Sequence, residues 1–395
     1  RPPTVQAVEC YDIAVIGLGG IGSATAWFAA RSGQSVVGLE RFDLGGHHRG
    51  ASHDHSRIIR HSYHTEHYVE LTRLAYDAWR EVESASGKTC VHITGGIDLF
   101  PRGAAIDIET YRASMRACDI DFDELTAADV MSRWPAWRLD ADTHVLYQAD
   151  TGIVSPAATV PLLQRLAGES GAVLHGNTAV VGVEPQRDEV RIHLADGGAL
   201  QAGHVVIAAD AWTPSLVEPL GMKLPLTVTR EQVTYYETET PQLFERERFP
   251  VWIWMDDPSF YGLPTFGRAG VKVAEDCGGQ SVDPDQRGFD PDPAILQRTD
   301  AFTAAVFDGR LGRASSTTTC LYTLPPDRDL ILDALADHRN IHVALGAGHG
   351  YKFVAWFGKT LAALASDRDP GCDLSPFRLD RPALTDPTRA ANWLV

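Results

Sequence analysis

Tyr11-Asp12-Ile13-Ala14-Val15-Ile16-Gly17-Leu18-Gly19-Gly20-Ile21-Gly22-Ser23 decides the fold. A short β-rich run ends directly in a glycine turn, and Ser23 to Arg31 continues as a helix closed by Gly33. Strand, glycine turn and helix N-terminus in that order make a βα unit whose backbone N–H groups suit a pyrophosphate. Ser35-Val36-Val37-Gly38-Leu39-Glu40 reads as the next strand. It ends in an acid about 20 residues past the glycines, where a ribose hydroxyl needs an acceptor. The context favours an adenine dinucleotide over a tight turn that merely packs a helix on a sheet. It leaves nicotinamide and flavin equally open, since both present the same pyrophosphate.

A chain of 395 residues suits one large two-lobed unit, or two domains that share a ligand. Its 44% hydrophobic and 22% charged content is that of an ordinary globular protein and excludes wholesale disorder. A net charge of −17 argues against nucleic acid or an anionic membrane as partner, while leaving room for an anionic substrate held by local cations. Cys10, Cys90, Cys118, Cys277, Cys320 and Cys372 form no CxxC pair, which fits a reducing compartment better than a disulfide scaffold or zinc site. Arg1-Pro2-Pro3 is followed by no apolar run of signal-peptide type, and no stretch approaches a membrane span. The expectation is a cytoplasmic protein, with residues removed ahead of Arg1 left open.

Further along, Leu71, Leu74, Ala75, Ala78, Trp79 and Val82 recur at helical spacing and read as a core stripe. A second alternation fills 153–216: helix over 161–170, strand from Gly171, a hairpin at 190–194 and 200–208, and His204 to Ala209 returning to the dinucleotide sheet. Residues 89–151 and 223–327 differ in texture, with alternating positions such as Val228, Arg230, Gln232, Thr234 and Tyr236. They suggest one antiparallel sheet built from two separated segments. Asn340 to Gly346 is a buried strand leading through glycines into a helix at 353–365. The expected fold class is α/β: a discontinuous Rossmann-like dinucleotide domain (1–88, 152–222, 328–395) interleaved with an antiparallel-sheet substrate domain (89–151, 223–327).

Five ordered motifs narrow the function: the glycine fingerprint, Ser56-Arg57-Ile58-Ile59-Arg60-His61-Ser62-Tyr63, Phe260-Tyr261-Gly262-Leu263-Pro264, Cys320-Leu321-Tyr322-Thr323 and His349-Gly350-Tyr351-Lys352-Phe353. Over nearly its whole length the chain resembles the monomeric sarcosine oxidase and N-methyltryptophan oxidase family of flavoenzymes. The resemblance implies FAD attached covalently through Cys320 and a cradle of Gly17, Gly19, Gly22, Glu40, Arg41, Ser52, His53, Arg57, Ile58, Val180, Gly348, His349, Gly350 and Lys352. It assigns the substrate carboxylate to Arg60 and Lys352, oxygen activation to Lys272, and the cavity wall to Tyr261 and Tyr322. Each role suits its residue: a guanidinium grips both carboxylate oxygens, an ammonium adds a point charge, and a buried cation stabilises developing superoxide. Attachment needs a thiolate at Cys320, so nearby positive charge is expected to lower its pKa. Taken singly, the cysteine and the tyrosines read as core and the cations as surface or strand-edge residues.

One position departs from the family pattern. Asp276, in Glu275-Asp276-Cys277, stands where members acting on simple N-methyl amino acids commonly carry histidine. A similar acid occurs in the branch oxidising piperideine-2-carboxylate. It can accept a hydrogen bond from a substrate nitrogen, or be a turn residue. The expected enzyme is therefore an oxidase of a secondary or cyclic amino acid that uses O2, needs no metal and works as a monomer. His53, His55 and His61 are spaced too irregularly for a metal site. The rivals are a flavin dehydrogenase with another acceptor, a nicotinamide dehydrogenase and a non-catalytic redox-sensing module.

Overall fold

In the computed structural model, which describes residues 9–394, the fingerprint strand Cys10–Ile16 is the third-last member of a main path of six strands in an eight-stranded sheet. Arg1-Pro2-Pro3 lies outside the described residues. The path runs Val180–Pro185, Val190–Leu194, Ala199–Ile207, Cys10–Ile16, Val36–Leu39, Val173–His175. Ala199–Ile207 pairs parallel with the fingerprint strand, matching Ile13 to His204 and Ile16 to Ile207, as the apolar run at 204–209 implies. Its far edge forks: the first half pairs with Val190–Leu194 and the second with His338–Leu345. The helix Gly20–Arg31 is buried almost all round, which suits its Ala-rich sequence.

Two compact units divide the chain: Arg1–Ser52, Ala158–Leu226 and Pro325–Ala391 in the first, His53–Ala157, Thr227–Leu324 and Asn392–Val395 in the second. The eight-stranded sheet belongs wholly to the first. Residues 53–88, expected to run with the dinucleotide segments, fall in the second unit. The reason is pairing: Arg57–Ile59 and Val91–Ile93 flank Gly152–Val154 in a three-stranded antiparallel sheet.

The second unit's nine-stranded sheet does join two separated segments, but the join is parallel, not antiparallel: Val251–Trp254 lies beside Gly96–Phe100 with Trp252 opposite Ile97. Every other pairing in the sheet is antiparallel. Two local expectations also change. Leu74 is 37% exposed, because on the helix Glu66–Ser86 it lies roughly 120° from the centre of the buried stripe. The helix expected over 161–170 spans Pro156–Glu169, with Pro161 inside it.

Candidate active site

In the first unit, backbone geometry makes the dinucleotide turn. Gly17 has φ 90°, and a Cβ there would lie 2.4 Å from the Ala208 carbonyl oxygen; one on Gly22 would lie 1.7 Å from that of Gly17. Only glycine lets strand, turn and helix approach this closely. The helix that follows carries no acid in its first turn and no side-chain cap, so the helix itself sets no like charge against an anion there. Ser52 Oγ accepts from Gly20 N–H at 3.0 Å. Glu40 is buried, and its carboxylate accepts from Leu18 N–H at 2.8 Å and Phe42 N–H at 3.0 Å, with His47 Nε2 at 3.2 Å. Burial would raise its pKa; His47 and the two N–H donors outweigh this and lower it. A carboxylate offers about four acceptor positions, so one remains for a ribose hydroxyl. Arg41 is exposed against Phe42 and Trp212, and Val180 opens the first strand of the sheet path.

The C-terminal motif lies in the same unit. Gly348 has φ 77°, His349 Nε2 is 3.0 Å from the Arg328 carbonyl, and Lys352 is 6% exposed with Nζ donating to the His349 carbonyl at 2.6 Å. Contrary to expectation, the glycines do not lead directly into the helix. A 3-10 turn, Gly350–Phe353, precedes the helix Val354–Leu364, and it is this turn that buries Lys352.

In the second unit, sheet register does the assembly. Directly opposed residues share a face. Asp98 opposes Ile253, Ile253 opposes Tyr261, Tyr261 opposes Ala274, and Leu263 opposes Lys272. Lys272 opposes Tyr235, and along the same strand pair Glu231 opposes Cys320 and Thr229 opposes Tyr322. One face therefore carries Asp98, Tyr261, Lys272, Tyr235, Glu231, Cys320 and Tyr322. Trp252, Phe260, Val271, Val273 and Tyr236 belong to the other face, where they join an aromatic core with Trp137, Phe249 and Phe307. Gly262 of the third motif serves that core: a Cβ there would lie 2.3 Å from the Trp252 indole.

Lys272 is 1% exposed on an interior strand, not a strand edge. Nζ donates to Asp54 Oδ2 and to the Ser56 carbonyl, each at 2.7 Å. Burial pushes its pKa down to about 8, against the pull of Asp54. Arg57 Nη1 lies 3.6 Å from the same Asp54 carboxylate. His53 is neutral: burial, then Arg57, pushes it down to about 3. Cys320 departs from expectation. Burial pushes the thiol up to about 11, because losing water costs the thiolate more than Arg57 and Lys272 return. Tyr261 is raised by burial and then by Cys320, with the Tyr322 hydroxyl hydrogen-bonded to it. Asp276 sits half-buried in the turn after Val271–Glu275, its N–H donating to Ser259 O at 2.8 Å and its charge acting on Tyr261.

Arg60 is 6% exposed and stacked 4.7 Å over Tyr63, with Nη1 3.4 Å from Asp98 Oδ1. Ser62 Oγ donates to the other Asp98 oxygen. Burial raises the Asp98 pKa, opposed by Arg60 and Ser62. A narrow cleft beside the pair is lined by Ile58, Arg60, Ser62, Asp98, Gln148 and Thr151. Sequence reasoning missed Asp54, Asp98, Glu231 and Tyr235. Asp98 had a legible signal, an acid amid Ile97, Leu99 and Phe100, since a buried acid needs a partner. Among the described residues, no group of three or more His, Cys, Asp or Glu can hold a metal ion, and no helix is long and apolar enough to cross a membrane.

The chain is 32% identical over 368 residues to monomeric sarcosine oxidase of Streptomyces avermitilis, covering 90% of this chain and 93% of that one. It is 28% identical to N-methyl-L-tryptophan oxidase of Citrobacter koseri, covering 94% and 99%. The solved structure of NikD, an unusual amino acid oxidase essential for nikkomycin biosynthesis, superposes with a TM-score of 0.84 at 27% identity, covering 94% and 97%. The model of the family described as "FAD dependent oxidoreductase" matches residues 12–364. Sharing that match with the glycine turn and the two sheets that carry the motifs, the chain is an enzyme and belongs to the FAD dependent oxidoreductase family.

Proposed function

We propose that this chain is a covalent-FAD oxidase of a secondary or cyclic amino acid, linked to its cofactor through Cys320 and reducing O2 to H2O2. The observation that carries the reading is the sheet register that sets Tyr261, Lys272, Cys320 and Tyr322 on one face. Flavin fits the residues of that region by a further sign: His53 Nε2 and Ser56 Oγ are buried without a hydrogen-bond partner among the described residues. Buried polar atoms are almost always satisfied, so a polar group received from outside the chain suits them. A bound flavin would supply a two-electron acceptor for hydride from the carbon next to the substrate nitrogen, which would leave an imine, with O2 as the final acceptor.

The chain's own residues bind and bias the reactants. Arg60 takes the substrate carboxylate, sharing its guanidinium with Asp98; in the first unit, Lys352 is a buried cation suited to an anionic group. Burial and the Arg60 cation favour the neutral amine, the form that can lose hydride, over the ammonium. Asp276 receives the substrate nitrogen or a polar side group, which favours a cyclic substrate over sarcosine. Lys272 holds positive charge where superoxide develops. The monomeric state follows the name of the relatives, and the cytoplasm follows the scattered cysteines. A flavin dehydrogenase with another electron acceptor is the alternative.

Anaerobic bleaching of the flavin absorbance by sarcosine and by L-pipecolate at equal concentration tests the substrate, and peroxide release on admitting air tests the acceptor. Faster bleaching by pipecolate, with peroxide, is expected. Faster bleaching by sarcosine makes Asp276 incidental, and bleaching without peroxide makes the enzyme a dehydrogenase.

A further inference from the structure

Two directly opposed residues of neighbouring strands, Tyr235 and Lys272, reach for one carboxylate. The Tyr235 hydroxyl donates to Asp54 Oδ1 at 2.7 Å and Lys272 Nζ donates to Asp54 Oδ2 at 2.7 Å. The Lys272 and Asp54 side chains are 1% and 2% exposed. Asp54 holds that position at φ 78°, a left-handed backbone that costs most side chains strain and that Asp and Asn adopt most readily. The Ser56 carbonyl, two residues on, takes a second hydrogen from the same ammonium.

The other groups bearing on Lys272 are Arg57 and His53 from the 53–59 segment, Tyr235, and Cys320 from the strand Ala314–Leu324. Arg57 repels the ammonium, His53 is neutral, and Cys320 carries no charge at neutral pH, either as a buried thiol or as the proposed thioether to flavin. Burial acts against the ammonium as well. Asp54 is the carboxylate in contact with it. We infer that Asp54 is the positioning residue that keeps Lys272 both protonated and oriented, and that without this carboxylate Lys272 is a neutral amine at neutral pH. Burial would raise the Asp54 carboxyl, yet Lys272 and then Arg57 outweigh it and hold it well below the usual carboxylate range. That is the counterpart expected of an acid committed to a cation. The consequence for oxygen chemistry rests on the proposed role of Lys272, because a neutral amine cannot offset the charge of superoxide.

The test compares wild type, Asp54→Asn, Asp54→Glu and Lys272→Met as flavin-loaded enzymes. Reoxidation of the anaerobically reduced protein by O2 is followed against pH, and lysine titration is read by NMR of 15N-lysine-labelled protein, using the resonance that Lys272→Met removes. Wild-type reoxidation is expected to slow as pH rises through about 8. Asparagine preserves shape and tolerates the left-handed backbone, so Asp54→Asn is expected to fold and to move both midpoints down by at least about 2 pH units. Asp54→Glu restores the carboxylate and is expected to bring them back. Lys272→Met is expected to reoxidise about 100-fold more slowly, with no dependence on this midpoint. Equal NMR midpoints in wild type and Asp54→Asn, or a Glu variant shifted as far as the Asn variant, overturn the inference. Wild-type reoxidation by Lys272→Met instead removes the lysine from oxygen chemistry, while the NMR midpoints still decide what Asp54 does.

Discussion

The two faces of the nine-stranded sheet are built from the same strands and differ in almost every property. One is a continuous aromatic core: Trp252 is fully buried, edge-on to Trp137 at 5.3 Å and stacked on Phe302 at 5.8 Å. The other holds as much burial but spends it on charge: Lys272, Asp98 and Glu231 are at most 6% exposed, Lys272 and Asp98 in ion pairs and Glu231 accepting from Thr229 Oγ1 and Gly279 N–H. Burying apolar surface stabilises a fold, whereas a buried ion pair roughly breaks even against its desolvation. The aromatic face supplies the stability against which the charged face can be held in a costly, reactive arrangement.

The largest expected effect breaks the comparison from the aromatic side. Trp252→Ala is expected to destabilise the protein by about 3–5 kcal/mol through the cavity it leaves. Denaturant unfolding measures this, and the bound flavin's spectrum should survive in the folded fraction; loss of flavin at full stability would mean that the faces are not separable as described. Next, Arg60→Ala on the charged side is expected to weaken binding of acetate or pyrrole-2-carboxylate by about 1.5–3 kcal/mol, or roughly tenfold to 150-fold. Titration of the flavin spectrum with the inhibitor reads it. Unchanged inhibition would leave Arg60 as no more than the partner of Asp98.

The smallest effect concerns pH. His53 titrates at about 3 when folded against an ordinary 6.5, so between those values the unfolded chain binds a proton that the folded chain refuses. Stability therefore falls as pH drops through that window, and His53→Gln should make the fall shallower by roughly 1 kcal/mol per pH unit. Unfolding at pH 6.5, 5.5 and 4.5 checks it, against the remaining slope from His61, His64 and His342, which burial depresses in the same sense. An unchanged slope would show that His53 is charged in the folded protein.

How much of this was legible in the residues varies by region. The parallel strands of the first unit were read from the residues, while Val180–Pro185 and Ile331–Leu335 were not; its signals are local, since a βα turn demands its glycines within a few positions and buried parallel strands show as apolar runs. The second unit was legible only as texture. Its alternation was visible at Val228, Arg230, Gln232, Thr234 and Tyr236, yet the residues that share the face of Lys272 and Cys320 are the other set, Thr229, Glu231, Val233 and Tyr235. Alternation marks two faces without saying which is which, since a one-residue change of register exchanges them.

The sequence by itself therefore determined the dinucleotide turn, the fold class and the family motifs, all properties of contiguous residues. Only the tertiary structure decided the domain boundaries, the parallel join at Val251–Trp254, the partners of the cations and the state of Cys320. Asp54 lies 218 positions from Lys272, and Asp98 lies 38 from Arg60. An ion pair or a shifted pKa depends on distance and on exclusion of water, and both arise only when remote strands are brought into register.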